Sequence, residues 1–250
     1  MKKAFVCGES YIGHTVHIKG ADSMETNGYF EQVRWLRGAL ENAGYEVTYM
    51  PSHAALTQFP DTKEKLSQYD VVILSDVGAN TLLMPDRSFR ESLPAPNRCE
   101  AVKEYVLHGG GFIMVGGFMS FTGIEGKARY GVTPIADILP VALLPYDDRV
   151  ENSSGIVPRT LLPGHPIVKG LPQDWHYFIG YNKTTPDPLR GEVLAAIGGD
   201  PLIAAGAFGQ GRSAVFTSDC APHWAPKTFL ESPAYQTLWK NMANWVSKAV

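Results

Sequence analysis

Cysteine is scarce in this chain, with only Cys7, Cys99 and Cys220 among 250 residues. An odd number of widely separated thiols excludes a disulfide framework and a ribbon-type zinc site. No apolar run approaches the roughly 20 residues that a membrane-spanning helix needs. Met1-Lys2-Lys3 is followed by too short an apolar segment for a secretion signal, so a cytoplasmic address is expected. Excess positive charge is missing too, since 22 Lys and Arg stand against 25 Asp and Glu for a net charge of -3. That balance leaves no electrostatic footprint for nucleic acid or an anionic membrane. A phosphate-cradling glycine loop is also absent, because Gly110-Gly111 precede the apolar strand that such a loop follows. No cofactor and no resident metal are expected.

What is present is ordinary globular material, 44% apolar and 19% charged, long enough for one large α/β domain over residues 1–250. Strand, helix, strand, helix, strand alternate along the first half. Lys3 to Gly8, Tyr45 to Met50, Asp70 to Ser75 and Phe112 to Val115 read as strands. The last two are unbroken apolar runs, as expected for a parallel sheet covered on both faces. A helix over 28–43 is predicted from Phe30, Val33, Leu36, Leu40 and Ala43 on one face, with Gly44 as its stop. Asn97 with Glu100 marks another helix start, and Ser232-Pro233 a third. Between them, residues 126–190 form a proline-rich elaboration with short strands. Glu192 to Ile197 and Leu202 to Phe208 read as a hairpin, followed by a buried strand, Ser213 to Thr217. Tyr11 to Asp22 has no helical period and reads as a long, ligand-holding loop.

In such a sheet, ligands bind beyond the carboxyl ends of the strands, where strand order reverses. Four ends carry polar or special residues: Glu9-Ser10, Asp76 to Asn80 with Gly78, Gly117-Phe118 to Ser120, and Asp219 to His223 with Trp224. They are expected to converge on one rim. Asp219 beside His223 is the sharpest pair there, since a carboxylate can fix the tautomer of an imidazole and raise its basicity. The alternative is a helix cap next to a structural histidine. Cys220 is either a thiolate nucleophile served by His223 or a small core residue. His14, His17 and Asp22 offer donor atoms to a metal, with His223 or His53 completing a site, against the simpler reading of a solvated, hydrogen-bonding loop that contacts the ligand. Arg129, beside Lys127 and Tyr130, is either an anion-positioning group or an exposed basic turn.

Taken in order, Gly8-Glu9-Ser10, His14 to Gly20, Ser75 to Thr81, Gly109 to Gly123, Gly126 to Tyr130 and Thr217 to Trp224 resemble a family of class I glutamine amidotransferase-like proteins related to the trehalose-utilisation type. The resemblance covers nearly the whole chain. It implies a flavodoxin-like three-layer α/β/α sandwich with a mainly parallel sheet and a small β-rich insertion. Active members use a cysteine in a Gly-x-Cys-x-Gly elbow and a His-x-Glu pair after a later strand. Here Phe118 occupies the cysteine position, and Ser218-Asp219-Cys220 stands in place of His-x-Glu. Without a thiolate at the elbow no glutamyl thioester forms, so loss of glutaminase activity is expected. The expected role is binding of a small polar, sugar-like metabolite at the rim by a homo-oligomer. A hydrolase or lyase using Asp219 and His223 as acid/base, with or without a metal, and a non-catalytic assembly or regulatory module are the alternatives.

Overall fold

The computed structural model describes residues 1–173 and 175–249. The chain opens with β1 (Lys2–Gly8), then a long antiparallel ribbon of β2 (Ser10–Lys19) and β3 (Asp22–Glu31). Helix α1 (Arg34–Asn42) leads to β4 (Tyr45–Met50), and the short helices α2 (Ser52–Gln58) and α3 (Lys63–Leu66) to β5 (Val71–Ser75). Next come α4 (Ala79–Leu83), α5 (Asp86–Glu91), α6 (Arg98–Leu107) and β6 (Gly111–Val115). The elaboration holds the short strands β7 (Val141–Leu143), β8 (Arg149–Ile156), β9 (Arg159–Thr160), β10 (Phe178–Asn182) and β11 (Thr184–Pro186). Strands β12 (Glu192–Ile197), β13 (Asp200–Phe208) and β14 (Gly211–Phe216) precede α7 (Lys227–Leu230) and α8 (Pro233–Val246).

The central sheet has the order β4-β1-β5-β6-β14-β13-β12-β9. Its first five strands run parallel, while β13, β12 and β9 are antiparallel. Because side chains alternate across a strand, Val71 and Ile73 join α1 and α8 on one face, while Val72 and Leu74 join α2, α3, α4 and α6 on the other. The result is the three-layer α/β/α sandwich, with both faces of the parallel core dry. Helix α8 begins where the sequence predicts, with the Ser232 hydroxyl accepting from the Tyr235 amide at 3.3 Å and Pro233 in the first turn. It buries Leu238, Trp239, Met242 and Val246, each worth roughly 1.5–3 kcal/mol of apolar transfer. Asn97 caps α6 through its side-chain oxygen, which accepts from the amides of Cys99 and Glu100.

Two expectations are corrected. Tyr11 to Asp22 is not a loop: it forms β2 and the turn of a two-stranded ribbon whose partner, β3, extends to Glu31. The predicted 28–43 helix therefore starts only at Arg34, because Gly28 to Glu31 are ribbon residues. The periodicity of Phe30 with Val33 is accidental. Phe30 stacks on Tyr11 at 5.0 Å across the ribbon, and Val33 begins the helical face.

Candidate functional site

Strand order reverses at β1, which lies between β4 and β5, and the carboxyl ends of β1, β5, β6 and β14 sit side by side. A hollow of about 470 Å³ opens above them, lined by Glu9, Ser10, Tyr11, Gln32, Asp76, Phe118, Met119, Asp219, Ala221, Pro222 and His223. Separate segments of the chain thus meet over one edge of the sheet, as the topology requires.

The elbow after β6 depends on two glycines. A Cβ on Gly116 would lie 2.1 Å from the Thr217 carbonyl oxygen, and one on Gly117, at φ +148°, would lie 2.8 Å from a carboxylate oxygen of Asp76. Both strand neighbours therefore approach closely only because no side chain intervenes. Asn182 accepts from the Gly117 amide at 2.9 Å and donates to the buried Asp148 at 2.8 Å. Asp148 in turn accepts from the amides of Thr122 and Gly123 at 2.8 and 3.0 Å. This brace from the proline-rich elaboration holds the elbow from beneath, and nothing in local sequence pattern announces it.

Glu9 and Asp76, each directly after its strand, adopt left-handed backbone angles with φ of +49° and +47°. Non-glycine residues rarely hold such angles without compensation. The compensation here is hydrogen bonding. The Glu9 amide donates to the Ser75 carbonyl at 3.0 Å, and its carboxylate accepts from the Ser75 hydroxyl. The Asp76 amide donates to the Ser120 hydroxyl at 3.0 Å, and its carboxylate accepts from the Met119 amide at 2.6 Å. Asp219 is buried and accepts from the Ala221 amide at 2.9 Å, with the Nδ1 of His223 at 3.5 Å.

Carboxylates this close disfavour one another's charge. Burial, then Asp219 and Asp76, push Glu9 well above the usual carboxylate range. Burial, then Asp219, raise Asp76 to about 6. Asp219 is also raised, chiefly by burial, while hydrogen bonding to His223 opposes the shift. Asp76 is half-buried, whereas Glu9 and Asp219 are buried, at 4% and 6% exposed. Cys220 points into the same cluster, its sulfur 3.6 Å from the Ser75 hydroxyl, and burial followed by Glu9 and Asp219 pushes its thiol well above the ordinary value. Those surroundings oppose a thiolate, the reverse of what a nucleophile needs. Glu9, Asp219 and Cys220 bring ligand-type atoms within 4.8 Å of one another. To hold a divalent cation, Glu9, Asp219 and Cys220 would each have to lose a proton that their surroundings favour keeping. Protons held by the raised carboxyls satisfy the same cluster.

His223 is exposed at the mouth. Its ring meets the Phe118 ring edge-on at 4.2 Å and stacks on Trp224 at 5.0 Å. Trp224 is buried, donates to Glu151 at 3.0 Å, and packs where a Cβ on Gly180 would fall 2.4 Å from it. Its role is to back the His223 wall. Arg149 holds its guanidinium carbon 5.5 Å from the Phe118 ring centre.

Of the residues singled out in the sequence, Glu9, Ser10, Asp76, Phe118, Asp219 and His223 line the hollow. Gly117, Ser120, Cys220 and Trp224 support it. His14 and His17 stand on the exposed ribbon, where His14 meets Asn27 at 2.5 Å. Asn80 lines a different hollow with Leu56, Met84 and Phe89, and Arg129 a third with Val132 and Leu143. Gly78 packs under Met119. Tyr11, Gln32 and Met119 were not singled out, and only their nearness to strand ends could have suggested them.

Comparison with known proteins gives a consistent picture. The GATase1_like family model, described as putative glutamine amidotransferase, matches residues 3–248. Cytoplasmic Protein STM3548 from Salmonella typhimurium is 40% identical, with 98% of each chain covered and a TM-score of 0.94. Cytoplasmic Protein STM1381 from Salmonella typhimurium LT2 is 39% identical over 98% of this chain and 99% of that one, with a TM-score of 0.94. A thua-like protein from Parabacteroides merdae shares the fold at 16% identity, with 99% and 90% covered and a TM-score of 0.57. No protein of curated function matches. Among the described residues, no helix is long and apolar enough to cross a membrane.

Proposed function

The chain belongs to the class I glutamine amidotransferase-like family, and from that premise we propose a cytoplasmic protein that has lost glutaminase activity and binds a small, uncharged, sugar-like metabolite at the rim. The observation that carries this reading is the lining of one hollow by Glu9, Asp76 and Asp219 together with the Phe118 ring. A carboxylate accepts hydrogen bonds from hydroxyl groups, and a carboxyl held protonated by burial donates one. Such a set suits a ligand with several hydroxyls, each both donor and acceptor. The aromatic ring offers an apolar face to its C–H side. An anionic ligand, by contrast, would meet three acids. Loss of glutaminase chemistry follows from Phe118 at the elbow and from Cys220 lying among acids. The cytoplasmic address is carried over from what the two Salmonella relatives are called.

Calorimetric titration and thermal shift against neutral monosaccharides, polyols, their phosphate esters and glutamine test the reading. A neutral polyol is expected to bind, and at a hundred times its dissociation constant to stabilise by about 2.7 kcal/mol. Asp219→Asn and Phe118→Ala should each abolish that shift. Preference for the phosphate ester, or ammonia released from glutamine by the wild-type protein, would overturn it.

A second reading, acid/base catalysis, draws on one contact: Asp219 lies 3.5 Å from His223, whose other nitrogen faces Glu151 at 3.9 Å. If the bound sugar is turned over, His223→Gln should remove turnover while leaving affinity within a few-fold.

A further inference from the structure

Beyond Ser10 and Tyr11 at its root, the ribbon β2–β3 takes no part in the core or the rim hollow. At ten residues per strand and about 3.4 Å per residue it is about 34 Å long. That is nearly twice the ~18 Å radius of gyration expected of a 250-residue chain. None of its residues belongs to either core cluster. It is tied down at its root, where the Ser10 hydroxyl accepts from the Ser52 amide at 2.8 Å and Tyr29 meets His53 of α2 edge-on at 5.2 Å. Residues opposite one another in an antiparallel pair share a face. Ile12, His14, Val16 and Ile18 therefore lie with Tyr29, Asn27, Glu25 and Ser23 on one face. Ile12 is 67% exposed and Ile18 75% exposed. On the other face Phe30 lies flat across Gly13 and Gly28, where an added Cβ would come within 3.1 and 2.8 Å of its ring. An isolated two-stranded ribbon is marginal in water, and one carrying this much exposed apolar surface needs a cover.

The same chain also presents an unfilled hollow in which apolar side chains sit beside Asn80, Thr81, Asp86 and Arg90. Leu56 of α2, Met84 and Phe89 line a space of about 500 Å³, and Phe89 is 75% exposed. Leu56 belongs to the helix that holds the ribbon's root, so ribbon and hollow flank a common element. We infer that the ribbon is an exchange arm: in a two-fold dimer, the arm of each copy docks on the Leu56–Met84–Phe89 hollow of the other. Reciprocal exchange is what makes the area sufficient. One face of its ribbon, ten strand residues, and the seven residues lining its hollow bring each protomer near the roughly 20 residues per side of a stable interface. A two-fold arrangement joins both pairs of surfaces with one operator. A lipid surface is the poorer occupant, because Asp22, Glu25 and Glu31 are interleaved with the apolar residues and anionic headgroups would repel them. Ser10 and Tyr11 at the arm's base also line the rim hollow, so docking would fix one wall of that site.

Sedimentation velocity on the full chain over a dilution series tests the assignment. The expected species is twice the 27.3 kDa chain mass, or an even multiple of it. Ile18→Asp on the arm and Phe89→Asp in the hollow should each weaken self-association roughly a hundredfold or more, because docking would bury an unpaired charge. Both side chains are exposed in the single chain, so unfolding midpoints should hold; Ile12→Asp serves as a second arm variant. Mixing the two variants is the decisive arm of the experiment. Each supplies the half that the other lacks, so the mixture should recover dimer through one intact arm and hollow. A wild-type protein that stays monomeric at every dilution overturns the assignment, whether or not it pellets with anionic vesicles. So does a Phe89→Asp protein that dimerises normally.

Discussion

Asp76 concentrates the conflict between stability and function into one side chain. Its backbone is held at φ +47°, its carboxylate sits beside Asp219, and its proton is retained up to about pH 6. A carboxyl whose folded-state affinity for protons exceeds its unfolded one favours the fold when protonated. Stability therefore falls as pH rises from about 4, the unfolded value, through about 6. Glu9 and Asp219 are raised as well and add to the same trend. For Asp76 the effect is at most about 3 kcal/mol, reduced by the solvent contact it keeps. Asp76→Asn should therefore raise the urea midpoint at pH 7.5, flatten its dependence between pH 4.5 and 7.5, and abolish ligand binding. The amide oxygen can still accept from Met119, so the turn itself survives. An unchanged pH slope in the variant would mean that the carboxylate carries no penalty.

At the scale of elements, the elbow after β6 is only as rigid as the brace beneath it. Asp148 serves two amides and the Asn182 side chain from a buried position. Asp148→Ala leaves those donors without partners, at a cost of about 3 kcal/mol or more, read from denaturant unfolding. Ligand affinity should fall with it, because Gly117 and Phe118 lose their anchor. Asp148→Asn keeps one acceptor oxygen and should cost less. That brace also marks the limit of what the sequence reveals. Strands β5 and β6 are legible because unbroken apolar runs end in polar or glycine residues, and α8 because Ser232-Pro233 opens it. Site residues that directly follow those strands, such as Glu9, Asp76 and Phe118, inherit that legibility. Asn182 and Asp148 lie in a proline-rich stretch without period, and their partners are more than twenty residues away. The ribbon escapes for another reason. Ile12, Val16 and Ile18 alternate with Gly13, Thr15, His17 and Lys19, but both faces meet solvent and β3 carries no matching alternation, so His14 and His17 read as loop ligands.

At the scale of the whole molecule, the β2–β3 ribbon and the sandwich should behave as separable parts. The sandwich has its own core on both sheet faces, to which the ribbon contributes no buried residue. Folding stability resides chiefly in buried apolar area. Replacing residues 12–29 by a two-residue Asn-Gly turn joins Tyr11 to Phe30, which already face each other at the ribbon's root. The turn type suits such a junction. The shortened protein should retain the near-ultraviolet signature of the buried Trp224 and Trp239. Its loss of stability should stay within about 1 kcal/mol, since the deleted backbone is exposed and its ordering entropy vanishes with it. It should also sediment as a single chain, and bind the rim ligand more weakly, because Tyr11 would be held by one cross-strand neighbour alone. A collapse of the melting transition would place the ribbon inside the cooperative unit and remove the distinction between arm and body.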